Sequence, residues 1–140
     1  MSETLPNPAA QAGASIRGAT TYLHSSDAVG AVEFYKRAFA AKEIARMPAD
    51  DGKRLMHAHL EINGGPLLMS DCFPEHGFPA QTPQGFHIHL QVDDGQAWWD
   101  RAVAAGCEVA MPFAKQFWGD TYGELTDPFG YRWSIGCSQA

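Results

Sequence analysis

The chain has 140 residues, 45% of them apolar and 19% charged, enough for one sizeable core and too few for two ordinary domains. A formal charge of −6 and a pI near 5.4, with the basic residues scattered, leave no electrostatic footprint for a polyanion. Nucleic acid is therefore not an expected partner. Cys72, Cys107 and Cys137 lie in neither CxxC nor zinc-type spacing, and no stretch approaches a membrane span or the apolar core of a signal peptide. A reducing, cytoplasmic setting without a membrane partner is expected.

Residues 1–15 read as a flexible tail, and 16–140 as a single domain. Residues 17–26, RGATTYLHSS, mix β-branched and aromatic side chains and run into Asp27, well placed to cap a helix. From there Val29, Val32, Phe34, Tyr35, Ala38 and Phe39 recur mostly at three- and four-residue steps, which predicts a helix with one buried stripe ending near Ala41. KEIARM, KRLMHAHLEI and PLLMSD read as three strands, separated by an ADDG turn and a tight NGG hairpin. This makes a βαβββ unit over about residues 17–71.

The Pro- and Gly-rich segment 72–85 suits a linker, and the order then begins again. FHIHLQV is a predicted strand running into Asp93 and Asp94, QAWWDRAVAA a helix stopped by Gly106, and CEVAMPF, TYGELTD and YRWSIGC three more strands, over about 86–138. Asp27 and Asp94, the two expected caps, stand 67 residues apart. At that offset Thr20 falls on His87 and Tyr35 on Ala102, so the repeat is one of pattern more than identity.

Strand alternation predicts which side chains share a face. In the second strand Met56, Ala58, Leu60 and Ile62 should meet a helix, while His57, His59 and Glu61 point away. Phe86, Ile88, Leu90 and Val92 likewise alternate with His87, His89 and Gln91. The expected fold is α+β: two βαβββ repeats forming a curved mixed sheet around a cup.

The paired units, the segment YLHSSDAVGAVEFYKRAF, the strand PLLMSD, the helix DRAVAAGCEV and above all the terminal WGDTYGELTDPFGYRWSIG resemble the vicinal oxygen chelate superfamily. This is the glyoxalase, bleomycin-resistance and extradiol-dioxygenase fold, and within it the likeness is greatest to the PhnB-like branch. The resemblance implies a divalent metal held by up to four side chains, two per repeat. Carried over, those positions are Thr20, a residue among Leu67, Leu68 and Met69, His87 and Ser134. Only His87 is a competent ligand, so no metal site and no cofactor are expected. The resemblance also implies a homodimer.

Two HxH strands still offer nitrogen ligands, since His57 and His59, or His87 and His89, would lie about 6.6 Å apart on one face. They read first as polar wall residues, and in the alternative as a displaced metal site aided by Glu61. Asp127 of DPFG reads as a turn residue rather than an acid catalyst, with Pro128 and Gly130 completing the turn. Trp118 of WGD lies between two strands, where it would lid a pocket or plug the structure. Of the adjacent Trp98 and Trp99, one should pack on its sheet and the other lie at the surface.

The expected ligand-binding set is His57, His59, His87, His89, Phe117, Trp118, Tyr122, Arg132 and Ser134, with catalytic residues unassigned. The function expected is binding of a small organic molecule in an aromatic-lined cup without the family metal, for sequestration, carriage or antibiotic resistance. One alternative is a lyase, isomerase or dioxygenase using a displaced histidine metal site or histidine acid/base chemistry. The other is a regulatory interaction module.

Overall fold

The structure, a computed structural model, describes residues 16–138. The tail expected at 1–15 lies outside the described residues. In chain order the elements are β1 (Tyr22–Ser25), α1 (Ala28–Phe39), β2 (Lys42–Pro48), β3 (Leu55–Ile62) and β4 (Gly65–Asp71), followed by a 3-10 turn at Pro74–His76. Then come β5 (Ile88–Gln91), α2 (Gly95–Ala105), β6 (Glu108–Lys115), β7 (Thr121–Thr126) and β8 (Arg132–Cys137). The expected βαβββ order occurs twice. It forms two four-stranded mixed sheets, β1-β4-β3-β2 and β5-β8-β7-β6, each with its first and last strands parallel and the other pairs antiparallel. The described chain groups into two compact units: residues up to Lys36 with Ala40–Ala80, and Arg37–Phe39 with Gln81 onward.

In the first unit the helix start is secured twice. The Asp27 carboxylate accepts from Gly30 N at 3.0 Å, while the buried Asp71 at the end of β4 accepts from Ala28 N at 2.9 Å and from Leu55 N at 2.6 Å. Asp71 thus does more than terminate its strand. It supplies an acceptor for one of the orphan amides of a helix N-terminus and ties that helix to β3. The other end is Ala40, left-handed at φ 53°, one residue short of the expected Ala41. Asn63 and Gly64 (φ 52° and 82°) make the two-residue hairpin turn between the paired Ile62 and Gly65, because a primed turn matches strand twist.

The face of this sheet carrying Leu23, Ala58, Leu60 and Met69 is buried as alternation requires. Met56 departs from the expectation: it is 54% exposed. Near it the β2–β3 pairing shifts register between Met47 and Pro48, which breaks the simple alternation at the start of β3.

In the second unit Asp94 caps α2 through Ala97 N, and Gly106 closes it. Trp99 is buried against Phe113 (ring centroids 5.2 Å apart), whereas Trp98 is half-buried beneath the Arg101 guanidinium at 4.4 Å. Gly123 on β7 permits this packing, since a Cβ there would stand 2.6 Å from the Trp99 ring and 2.8 Å from the Phe113 backbone. Trp133 is fully buried and stacks on Phe39 of the same unit, with centroids 4.2 Å apart. Asp127 is buried as well, and its carboxylate accepts from Phe129 N, Tyr131 N and Trp133 Nε1 at 2.9–3.0 Å. The turn residue anchors the core tryptophan behind it.

Candidate functional site

Since Gly123 on β7 faces α2, alternation turns Tyr122, Glu124 and Thr126 to the opposite face of the second sheet. On β8 the register puts Ser134 opposite Glu124 and Arg132 opposite Thr126, and on parallel β5 His89 pairs with Ser134. Seven of the nine expected ligand-binding residues therefore come from this unit: His87, His89, Phe117, Trp118, Tyr122, Arg132 and Ser134. Five of them form two adjacent hydrogen-bonded groups, His89 and Ser134 with Gln91, and His87, Tyr122 and Arg132 with Glu124.

Their proton directions follow from the donors available. His89 Nε2 lies 2.7 Å from Gln91 Oε1, an acceptor, so this nitrogen is a donor. Nδ1 is then the lone-pair nitrogen and accepts from the Ser134 hydroxyl at 2.6 Å. Tyr122 donates its phenol proton to Glu124 Oε2 at 2.9 Å, and its oxygen receives His87 Nε2 at 3.4 Å. Arg132 holds the other Glu124 oxygen at 3.0 Å and Thr126 Oγ1 at 3.2 Å. Burial, opposed by the neighbouring Ser134 and reinforced by the Glu124 carboxylate, raises the Tyr122 pKa, so the phenol remains protonated. Gly136 leaves room for this arrangement, because a Cβ there would meet His89 Cε1 at 3.0 Å and Gln91 Oε1 at 3.1 Å.

Aromatic surface adjoins these polar groups. The Tyr122 ring stacks with His89 (centroids 5.8 Å, interplanar angle 23°) and meets Trp118 edge-on at 5.5 Å, and Trp118 meets Phe117 edge-on at 5.0 Å. Trp118 is 49% exposed and Phe117 96% exposed, so neither is a core plug. His87 and Arg132, with Phe86, Thr126 and Gly130, line a cavity of about 430 Å³ on this unit. His87 itself stands one residue ahead of β5, not within a strand as the pattern implied.

The first unit places the remaining two candidates differently. His57 is half-buried and accepts at Nδ1 from the Tyr22 hydroxyl at 3.1 Å; burial lowers its pKa, which keeps the ring neutral. His59 is 0% exposed. It sits on the interior strand β3 between Ala45 of β2 and Leu68 of β4, so it forms part of the interior and not an open polar wall.

Sequence reasoning missed a pair in this unit. His24 Nδ1 meets Ser70 Oγ at 3.1 Å across the parallel β1–β4 ladder, where His24 and Ser70 are register partners. It is the counterpart of His89 and Ser134 in the second sheet, with the proton reversed: Ser70 donates its hydroxyl to Asp71 O, so His24 donates to Ser70. The recurrence of His and Ser at offsets of 65 and 64 residues was the available signal.

The family's metal positions do not suit a divalent ion. Ser134 is enclosed and engaged by His89, Thr20 gives its hydroxyl to Arg17 O at 3.1 Å, and Leu67, Leu68 and Met69 are buried apolar residues. His87 alone is a good donor. Among the described residues, no three His, Cys, Asp or Glu side chains group as a metal site, the two HxH strands included. Nor is a cysteine nucleophile indicated: burial and the Asp127 charge push the Cys107 thiol up to about 12, and burial and the Asp71 charge raise that of Cys72.

A repeated βαβββ sheet with a polar, aromatic-edged face away from its helix defines a class in which sites are built on sheet surfaces. The model of the Glyoxalase/Bleomycin resistance protein/Dioxygenase superfamily matches residues 20–135, and the chain belongs to that superfamily. It is 42% identical over 121 residues to an uncharacterized protein of Mycobacterium bovis, covering 82% of this chain and 79% of the relative. Protein PA1353 from Pseudomonas aeruginosa has a similar structure (TM-score 0.73, 29% identity, 89% of this chain and 100% of that one). The PhnB protein from Bacillus cereus shares the fold, with a TM-score of 0.69 at 20% identity over 86% of this chain and 99% of that one.

Proposed function

We propose that this chain binds a small organic molecule with a planar portion on the second sheet's face away from α2, without the divalent metal of its superfamily. One observation carries the reading: the rings of Phe117, Trp118, Tyr122 and His89 follow one another at 5.0–5.8 Å, partly exposed, beside two bonded groups of donors and acceptors. Rigid aromatic area with two χ angles per side chain binds planar ligands at little entropic cost. The Arg132–Glu124 pair and Tyr122 supply orientation. Such binding suits sequestration or carriage, antibiotic resistance included, and pairing into a homodimer in the cytoplasm belongs to the same proposal.

Tryptophan fluorescence against a panel of aromatic, thiol and peptide-antibiotic compounds tests the reading. A binder should quench Trp118, and Trp118→Ala should weaken it at least tenfold while leaving the urea midpoint unchanged. A flat response across the panel, or global destabilisation by Trp118→Ala, would refute it.

A second reading, proton-transfer catalysis, is favoured by the 2.6 Å Ser134–His89 contact continued by Gln91. Turnover of a panel ligand, lost on His89→Gln with binding retained, would establish it.

A further inference from the structure

The first unit contains a larger cavity, of about 630 Å³, apart from the face of the second sheet. It lies where the β2–β3 turn, the start of β3, the ends of β1 and β4 and the 73–78 segment meet. Met56, Phe73 and Phe78 give it apolar walls, and His24 and Ser70 line it too. Met56 (54% exposed) and Phe78 (63% exposed) offer large apolar surface on this wall, which a ligand would gain by covering. The volume falls within the range of about 300–1,000 Å³ typical of small-molecule sites.

The charges around it are lopsided. Asp50, Asp51, Asp71 and Glu75 line the cavity against one permanent cation, Arg54, and two imidazoles, His24 and His76. Arg54 is fully engaged: Nε binds Asp51 at 2.7 Å, the two terminal nitrogens grip Glu75 at 3.1 and 2.5 Å, and the guanidinium lies over the Phe73 ring at 4.4 Å. An incoming anion would find its one permanent counter-charge already bound twice. Asp71 is equally committed, to Ala28 N and Leu55 N, and Asp51 to Lys53 N and Arg54. Asp50, exposed in the turn, has no hydrogen bond or ion pair with the described residues and keeps its charge for a ligand.

We propose that this cavity binds an organic cation, a molecule with an aromatic or aliphatic body and one ammonium-type charge. The body lies against Met56 and Phe78, and the charge is held by Asp50 and by the Phe78 ring face, as Phe73 already holds Arg54. The surplus of carboxylates sets the sign of the ligand.

The test compares benzyltrimethylammonium with its uncharged isostere neopentylbenzene and with the anion benzenesulfonate. Binding to the full chain is followed by NMR of the Met56 methyl group and the Phe78 ring. The cation should bind at least tenfold more tightly than the isostere, and the anion should not perturb either signal. Asp50→Asn should weaken the cation several-fold and leave the isostere unchanged, and raising salt should act in the same direction. Phe78→Ala should weaken both. Equal affinity for cation and isostere, preference for the anion, or no perturbation by any of the three would each overturn the proposal. Both reporters belong to the first unit, so the result is independent of whether Trp118 senses a ligand.

Discussion

Asp127 illustrates how a residue in a turn motif can serve the core. Its carboxylate takes two turn amides and the indole N–H of a fully buried tryptophan, so removing it takes the acceptor from three donors, two of them buried. Asp127→Ala should lower stability by about 3 kcal/mol, a size reserved for broken buried networks, as measured by urea denaturation. The DPFG pattern was sufficient to predict the turn. The bond to Trp133 was not legible, because it depends on which face of β8 the indole takes. His24 shows the converse: an exposed histidine on a short strand gains a partner only because β1 lies parallel to β4 and brings Ser70 alongside.

At the level of elements, α1 ends at an alanine held left-handed, where a Cβ is crowded and glycine is not. Ala40→Gly should raise the urea midpoint, adding about 0.5–1 kcal/mol, despite the usual penalty for introducing glycine. The 73–78 segment is closed by the Phe73–Phe78 bridge and joined to the β2–β3 turn through Arg54 and Glu75. Hydrogen bonding to Arg54 brings the Glu75 pKa down from the model-peptide value of 4.5 to about 2. A lowered carboxylate pKa means the folded state binds fewer protons than the unfolded chain. The pair therefore contributes fully above about pH 4.5, and the contribution is lost as pH falls toward 2. The melting-temperature difference between wild type and Glu75→Gln should be constant from pH 7 to pH 5 and shrink below pH 4. A pH-independent difference would show that the side chain acts by packing alone.

At the scale of the whole molecule, the superfamily scaffold is retained while the metal positions carry groups with little affinity for a divalent ion. Protein dialysed against zinc, manganese or nickel and then against buffer should hold well under one equivalent by elemental analysis. EDTA should leave the binding of any panel ligand unchanged, and a tenfold loss would restore the metal to the site.

Local sequence determined the elements, their order and their duplication. Helix caps, hairpin turns and the three- and two-residue periodicities act within a few positions of the chain, and both βαβββ units follow from them. Seven of the nine proposed contact residues could be placed on one unit in the same way, from strand alternation and the WGD segment. Only the tertiary structure decided which polar groups meet and which are enclosed. The His24–Ser70 and His89–Ser134 pairs arise from the parallel register of strands far apart in sequence, and the burial of His59 and the exposure of Met56 from the register of β3 against its neighbours. A shift of one residue in that register would send each of these side chains to the opposite face, and no local pattern encodes it.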